Sequence, residues 1–348
     1  MCGQFHTHLR IVPNCYIEIR WKHFRFSAMG GNHRLFFATD VHGSEICFRK
    51  FLNAPKLYQV DTLVLGGDIT GKVIVPIVET APGKFITTFL DIKQEFDQDK
   101  VKAFEEKITN SGYYPYHTTE DQMNSLKNDR SIIDKLFLKL MIERLESWVT
   151  LTEETFKDKA VVCYITGGND DPYEISEALN RSKRVQDPEE KVVQLDDEHE
   201  MISLGYSNPT PWKLPRDVSE EVLAEKIEAM TSKVQNMPTC VFNLHVPPKE
   251  SMLDQCPLLD GSVDPPKPVS SGGQPVFAGA GSKAVLDAIQ KHQPLLGLHG
   301  HIHESRAAQK FGRTLCLNPG SEYSEGILRG AIVTYNEKKI LSYQFTSG

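Results

Sequence analysis

The sequence predicts an α/β sandwich formed by one large domain with an inserted cap, and two patterns carry that expectation. Short apolar runs, each ending at a polar or glycine-rich turn, recur from residue 34 onward. Most are continuous rather than alternating, as strands buried on both faces require. Stretches with helical periodicity lie between several of them, and strands that alternate with helices build layered α/β architectures.

In chain order the strand runs are 34–39, 62–66, 160–165, 201–206, 240–244, 295–298 and 314–317. The clearest helix is 131–156, where Ile133, Leu136, Phe137, Leu140, Leu145 and Trp148 recur at about every three to four residues. A second covers 282–291, with Ala284, Leu286 and Ile289 on its apolar side. Residues 72–129 interrupt the rhythm. They hold a hairpin (73–78 and 84–90 around Ala81-Pro82-Gly83), a charged helix near 99–109 and a loop carrying Tyr113, Tyr114 and Tyr116. That is too much structure for a connection and reads as a cap. Residues 247–280, rich in Pro, Gly and Ser, read as a long loop, and 330–345 as a closing hairpin. Residues 1–33 form an N-terminal extension, and 34–348 the single domain. Because no motif lies before Asp40, residues 1–28 are expected to be dispensable for catalysis.

Bulk properties narrow the function. A chain of 348 residues can bury a sizeable core. The net charge of -7, the pI near 6.0 and the lack of a dense Lys/Arg run argue against nucleic acid as a partner. No window approaches the ~18 consecutive apolar residues that cross a bilayer, so a membrane is not expected either. The first thirty residues lack the apolar core of a secretory signal. Seven cysteines, odd in number and never spaced CxxC, fit free thiols in a reducing compartment, so a cytoplasmic location is expected.

The informative residues stand at strand ends. The first strand ends in Asp40-Val41-His42, the second in Gly66-Gly67-Asp68, and the third runs into Gly167-Gly168-Asn169-Asp170-Asp171. Later strands lead to His245 and to His299-Gly300-His301-Ile302-His303. Open α/β sheets place their sites at such carboxyl ends. Imidazole and carboxylate suit Mn, Fe, Zn and Ni, and a set without thiolate disfavours a structural zinc site. If the backbone stays extended, alternate side chains point the same way, so Asp40 with His42, and His301 with His303, would each converge on one centre. The glycines beside Asp68, Asn169 and His301 permit close backbone approach. His299 is expected to support its neighbours rather than ligate.

This ordered set (DxH, GGD, GGN, a lone His after a strand, GHxH) resembles the calcineurin-like metallophosphoesterase superfamily, and Asn318-Pro319-Gly320-Ser321 resembles the segment after GHxH in its small bacterial phosphodiesterase branch. The resemblance covers most of 34–345 outside the cap. It implies a four-layer αββα sandwich of two mixed sheets flanked by helices. It also implies two divalent transition metal ions (Mn, Fe, Zn or Ni, with manganese favoured), one held by Asp40, His42 and His303 and the other by Asn169, His245 and His301. Asp68 would bridge them, and a metal-bridging hydroxide would attack a phosphodiester, pyrophosphate or nucleotide.

The pattern breaks at one position. The family usually has a histidine after the Asn, thought to protonate the leaving group, whereas here Asp170 stands there, followed by Asp171. An aspartate near its ordinary pKa of ~3.9 is no proton donor at neutral pH, although a neighbouring carboxylate can raise it. A small phosphorylated substrate with a good leaving group is therefore expected, with Asp170 the one candidate acid. Lys72, four residues after Asp68, and Trp212, in a proline-rich loop, are the candidate substrate contacts. The competing reading is a non-catalytic metal-binding scaffold of the same fold.

Overall fold

The computed structural model describes residues 31–123, 129–263 and 265–348. The extension proposed for the N-terminus lies outside the described residues as far as residue 30, and His33 already opens the first strand.

Two six-stranded mixed sheets form the body. The first has the order β22 (Ile340–Ser347), β21 (Arg329–Tyr335), β1 (His33–Ala38), β2 (Thr62–Gly66), β7 (Val162–Thr166) and β8 (Val185–Gln186). The second has the order β19 (Ala307–Phe311), β20 (Thr314–Asn318), β18 (Leu296–Leu298), β11 (Val241–Leu244), β10 (Glu200–Leu204) and β9 (Val192–Gln194). Strands β1, β2, β7 and β8 run parallel, as do β20, β18, β11 and β10. Antiparallel strands close one edge of the first sheet and both edges of the second.

The two-residue period of a strand explains the layers. Leu35, Phe37, Val64 and Tyr164 point inward and meet Met201, Val241, Leu296 and Leu298 of the other sheet. Their chain neighbours Phe36, Ala38, Leu63, Leu65 and Ile165 point outward, under α1 (Glu45–Tyr58), α3 (Arg130–Thr155) and α4 (Ile175–Leu179). The second sheet is covered by α5 (Glu220–Thr231) and α6 (Lys283–His292). Each fully buried Val, Leu, Ile, Phe or Met among these contributes roughly 1.5–3 kcal/mol by leaving water. The result is the four-layer αββα sandwich.

Helix ends follow local chemistry. Ser44, Asp129, Ser219 and Ser282 cap α1, α3, α5 and α6 by accepting backbone N–H groups. The apolar face of α3 is shorter than its sequence suggests. Met141, Leu145, Trp148 and Val149 are buried, whereas Ile132 and Ile133 are exposed, and Phe137 meets Tyr114 edge-on at 5.7 Å. On α6 the buried face is Ala284, Val285, Ala288 and Ile289, and Leu286 lies beside it.

Between β2 and α3 lies a smaller unit with its own core, built from β3 (Ile74–Ala81), β4 (Lys84–Phe89), β5 (Ile92–Asp97), α2 (Gln98–Asn110) and β6 (Tyr114–Thr119). Its sheet order is β5-β4-β3-β6. Two features differ from the sequence reading. The tyrosine segment is a strand parallel to β3, not a loop, and the Tyr114 hydroxyl accepts the Gly71 N–H at 2.8 Å. Strand β5 has no sequence signal because its turn uses Leu90 and Asp91 in the left-handed region, with no glycine to mark it. The root of this unit touches the body closely: a Cβ on Gly112 would lie 2.3 Å from the His42 carbonyl oxygen.

The segment 247–280 is likewise not a plain loop. It folds into three two-stranded ribbons: β12 (Gln255–Pro257) with β17 (Phe277–Gly279), β13 (Leu259–Asp260) with β14 (Lys267–Pro268), and β15 (Ser270–Ser271) with β16 (Gln274–Pro275). Asp254 secures its base by accepting the Glu250, Ser251 and Gly281 N–H groups. No helix among the described residues is long and apolar enough to cross a membrane.

Candidate metal centre

Seven side chains from the carboxyl ends of five strands meet where the two sheets open. Asp40 and His42 follow β1, Asp68 follows β2, Asn169 follows β7, His245 follows β11, and His301 and His303 follow β18. Two groups result. Asp40, His42 and His303 form one, with His303 Nε2 3.2 Å from His42 Nε2 and 3.4 Å from Asp40 Oδ1. Asp68, His245 and His301 form the other, and His301 Nδ1 lies 3.0 Å from Asn169 Oδ1. Asp68 stands between them, its Oδ2 3.8 Å from His42 Nε2 and its Oδ1 3.3 Å from His245 Nε2.

The backbone reaches this arrangement by a route the sequence did not suggest. The extended geometry expected at the two paired motifs is absent. Asp40, His42, Asp68 and His301 all have positive φ (52°, 40°, 48° and 67°), and His301 and His303 diverge to different groups. Left-handed backbone costs a non-glycine residue roughly 1–2 kcal/mol. Surrounding bonds hold it: Asp40 and His42 donate their N–H groups to the Gly67 and Asp68 carbonyls, and the His301 N–H points at the Asp40 carboxylate. Close approach is the second requirement. A Cβ on Gly168 would lie 2.1 Å from Asp68 Oδ1, so only glycine fits there.

His245 shows most directly what the centre demands. Its Nδ1 is 3.0 Å from the Gly66 carbonyl, which only accepts, so Nδ1 carries the hydrogen. In the neutral ring Nε2 is then a lone pair, buried without a hydrogen-bond partner and facing Asp68 Oδ1 at 3.3 Å and Asp40 Oδ1 at 3.9 Å. Lone pairs set against carboxylates repel unless positive charge stands between them. Without an ion a proton serves: burial pulls the His245 pKa down, but Asp68 and Asp40 lift it to about 9. A divalent cation meets the same need, and the donor set fits one.

The neighbouring groups agree. Burial raises Asp40, but the His303 hydrogen bond and the His245 charge outweigh it and leave it at about 2. Asp68 is held well below the carboxylate range, against its burial, mainly by His245. Burial drives His42 down, and His301 to about 4, which keeps both rings in the neutral form that ligates.

The remaining candidates line the cavity above, a cleft of about 630 Å³ that includes Lys72, Asp170 and Trp212. Lys72 Nζ lies 2.9 Å from Asp170 Oδ2, so these residues form a pair. Burial, and then Asp68, push the Asp170 carboxyl up to about 6, with Lys72 opposing. Trp212 is 55% exposed. His299 lies beneath the centre, its Nδ1 2.8 Å from the Leu244 carbonyl.

Three further residues matter to which the sequence alone gives no role. Asp171 is buried and accepts the Gly168, Ile69 and Thr70 N–H groups, fastening the loop of Asn169 to that of Asp68. Asp217 accepts Asn169 Nδ2 at 2.9 Å, which turns the Asn169 oxygen toward the centre, and its other oxygen accepts the Thr210 and Leu214 N–H groups. Tyr323 packs on His42 at 4.6 Å between ring centroids. An acidic residue in a proline-rich stretch and a tyrosine just after Asn318-Pro319-Gly320-Ser321 carry no signal without the fold.

No family model matches the chain. An uncharacterised protein of Methanocaldococcus jannaschii is 27% identical over 152 residues, 44% of this chain and 61% of that relative's length. The TT1561 protein of Thermus thermophilus aligns with a TM-score of 0.50 at 12% identity, over 88% of this chain and all of that one. A dimetal phosphatase of Danio rerio aligns with a TM-score of 0.39 at 9% identity, over 90% of this chain and 98% of that one. Two mixed sheets between helices, the four-layer arrangement expected from the sequence, give the chain a fold similar to that of the TT1561 protein, with ligand-capable residues at the strand ends in the expected order.

Proposed function

We propose that the chain is a hydrolase that cleaves a phosphodiester, pyrophosphate or nucleotide with the aid of two divalent transition metal ions. The observation that carries this reading is the bare Nε2 of His245, turned toward two carboxylates within two adjoining His/Asp groups. Asp40, His42 and His303 would hold one ion, Asn169, His245 and His301 the other, and Asp68, with one oxygen toward each group, would be shared. When bound, such ions neutralise phosphate oxygens and make a water acidic enough to act as nucleophile near neutral pH.

The protein's own groups then set the rest. Asp217 orients Asn169, and Gly66 fixes the His245 tautomer. Lys72 offers an ammonium to a phosphate oxygen, while Asp170 keeps it turned toward the cleft. Asp170 stands where an imidazole would otherwise protonate the leaving group, and cations nearby hold its carboxyl ionised. Substrates with leaving groups that depart without a proton therefore fit best. The acidic chain favours a small phosphorylated substrate over nucleic acid, and the five described free cysteines accord with the cytoplasm. The test is purified protein loaded with manganese and screened against bis-p-nitrophenyl phosphate, nucleotides, cyclic nucleotides, dinucleoside polyphosphates and sugar nucleotides. Turnover that disappears with a chelator and returns with metal is expected. Tight metal binding without turnover of any member would favour the scaffold reading.

A further inference from the structure

The cleft above the centre has a chemical character of its own. One wall is the loop with Pro211, Trp212 and Leu214, and the other is the ribbon with Pro257, Leu258 and Leu259. Leu258 is 40% exposed and Trp212 55%, although both face the cleft. These walls offer almost no hydrogen bonds. The Thr210 hydroxyl is already donated to Asp217 at 2.5 Å. The ribbon satisfies its backbone internally, with Cys256 paired to Ala278 and the Leu258 N–H on the Val276 carbonyl. What is left in the walls is the Cys256 thiol, a weak donor, the Trp212 indole N–H and the exposed Glu304 carboxylate.

We infer that the cleft binds the hydrocarbon part of an amphiphilic phosphate or pyrophosphate ester, with its phosphorus over the His/Asp groups. The inference rests on the phosphoesterase reading for the placement of the phosphorus. A nucleobase buries several ring donors and acceptors, each costing roughly 1–3 kcal/mol when unmatched, and these walls would leave most of them unmatched. An alkyl chain has none, and each methylene removed from water contributes about 0.8 kcal/mol. The exposed Leu258 and Trp212 gain from the same burial. Asp217 ties this subsite to the centre, since one carboxylate holds both Asn169 and the loop of Trp212.

The test is calorimetry on the manganese-loaded full chain with n-alkylphosphonates from methyl to octyl, and with adenosine 5′-monophosphate. Affinity should rise about two- to fourfold per methylene until the cleft is full. Hexylphosphonate should bind more tightly than the nucleotide. Leu258→Asn should flatten the dependence on chain length while metal content, measured alongside, reports that the fold survives. Affinity independent of chain length, or tighter binding of the nucleotide, would overturn the inference even if the enzyme turns over phosphodiesters. A steep dependence in a protein that hydrolyses nothing would leave the apolar subsite standing and remove the catalytic reading instead.

Discussion

Strand β1 carries a cluster of histidine and aspartate at each end. At its start, His33 lies 3.4 Å from Asp196, whose other oxygen is 2.7 Å from His199 Nδ1. Just past its finish lie Asp40 and His42, with His303 across from them. By composition the two ends look alike, and either set brings its ligand-capable atoms within 4.8 Å. Their surroundings differ. At the start, Asp196 Oδ1 accepts two backbone N–H groups and the His199 ring, His199 Nε2 lies 3.2 Å from the Asn336 carbonyl, and the rings pack against Tyr335. None of these three residues has a positive φ. At the finish, four candidate ligands sit in left-handed backbone, and the buried His42 Nδ1 and His245 Nε2 lack hydrogen-bond partners. Strain together with unpartnered ring nitrogens, rather than the presence of histidine and aspartate, separates a centre built for a ligand from a cluster that closes a fold.

The comparison breaks most sharply at the ligands themselves. Asp68→Asn or His303→Ala should remove metal and abolish turnover, by at least ~10²-fold, with the fold largely kept, as read by mass spectrometry and circular dichroism. Unchanged metal content in both variants would sink the assignment. Asp217→Ala should weaken metal binding about 10- to 100-fold, because Asn169 loses the partner that orients its oxygen. A metal titration checks this. Proton competition gives a third handle. His245 is raised to about 9 without metal, so below that pH an incoming ion must displace its proton, and affinity should fall by up to about tenfold for each unit that the pH drops. The sign for the ion-free fold is opposite: a raised histidine stabilises it at low pH, and that contribution is lost as the pH climbs through about 9.

Two smaller effects sharpen the picture. Asp170→Asn should change the ratio of aryl to alkyl phosphodiester turnover by less than about tenfold, because a missing general acid leaves no step to lose. A fall of about 10²–10⁴-fold confined to alkyl esters would identify Asp170 as the donor. At the other end of β1, Asp196→Ala should cost about 1–3 kcal/mol of stability and leave metal content and turnover alone. Chemical denaturation and metal analysis together decide it.

How much of this was legible depended on whether the deciding interaction was local. Strand β1 could be read because Leu35 and Phe37 face one apolar layer while Phe36 and Ala38 face another, which forces an unbroken apolar run. The candidate ligands could be read because each sits beside a glycine or a strand end. The backbone at Asp40 and His301 could not, because it is held by bonds to Gly67 and to a carboxylate that arrive from elsewhere in the chain. Asp217 and Tyr323 were hidden for the same reason: their meaning comes from Asn169 and His42, 48 and 281 positions away. The tyrosine segment was misread because its partner strand β3 lies 40 residues upstream, with a helix between them.

The contact at Gly112 leaves no clearance. Its φ of 86°, and the 2.3 Å at which an added Cβ would meet the His42 carbonyl oxygen, mean that a single added methyl at this seam would have to displace the backbone of a candidate ligand. The smaller unit thus bears directly on the centre, like a shaft seated against its bearing. Drift in the sequence of its outer strands can be absorbed within its own core, whereas drift at this one position is registered at His42.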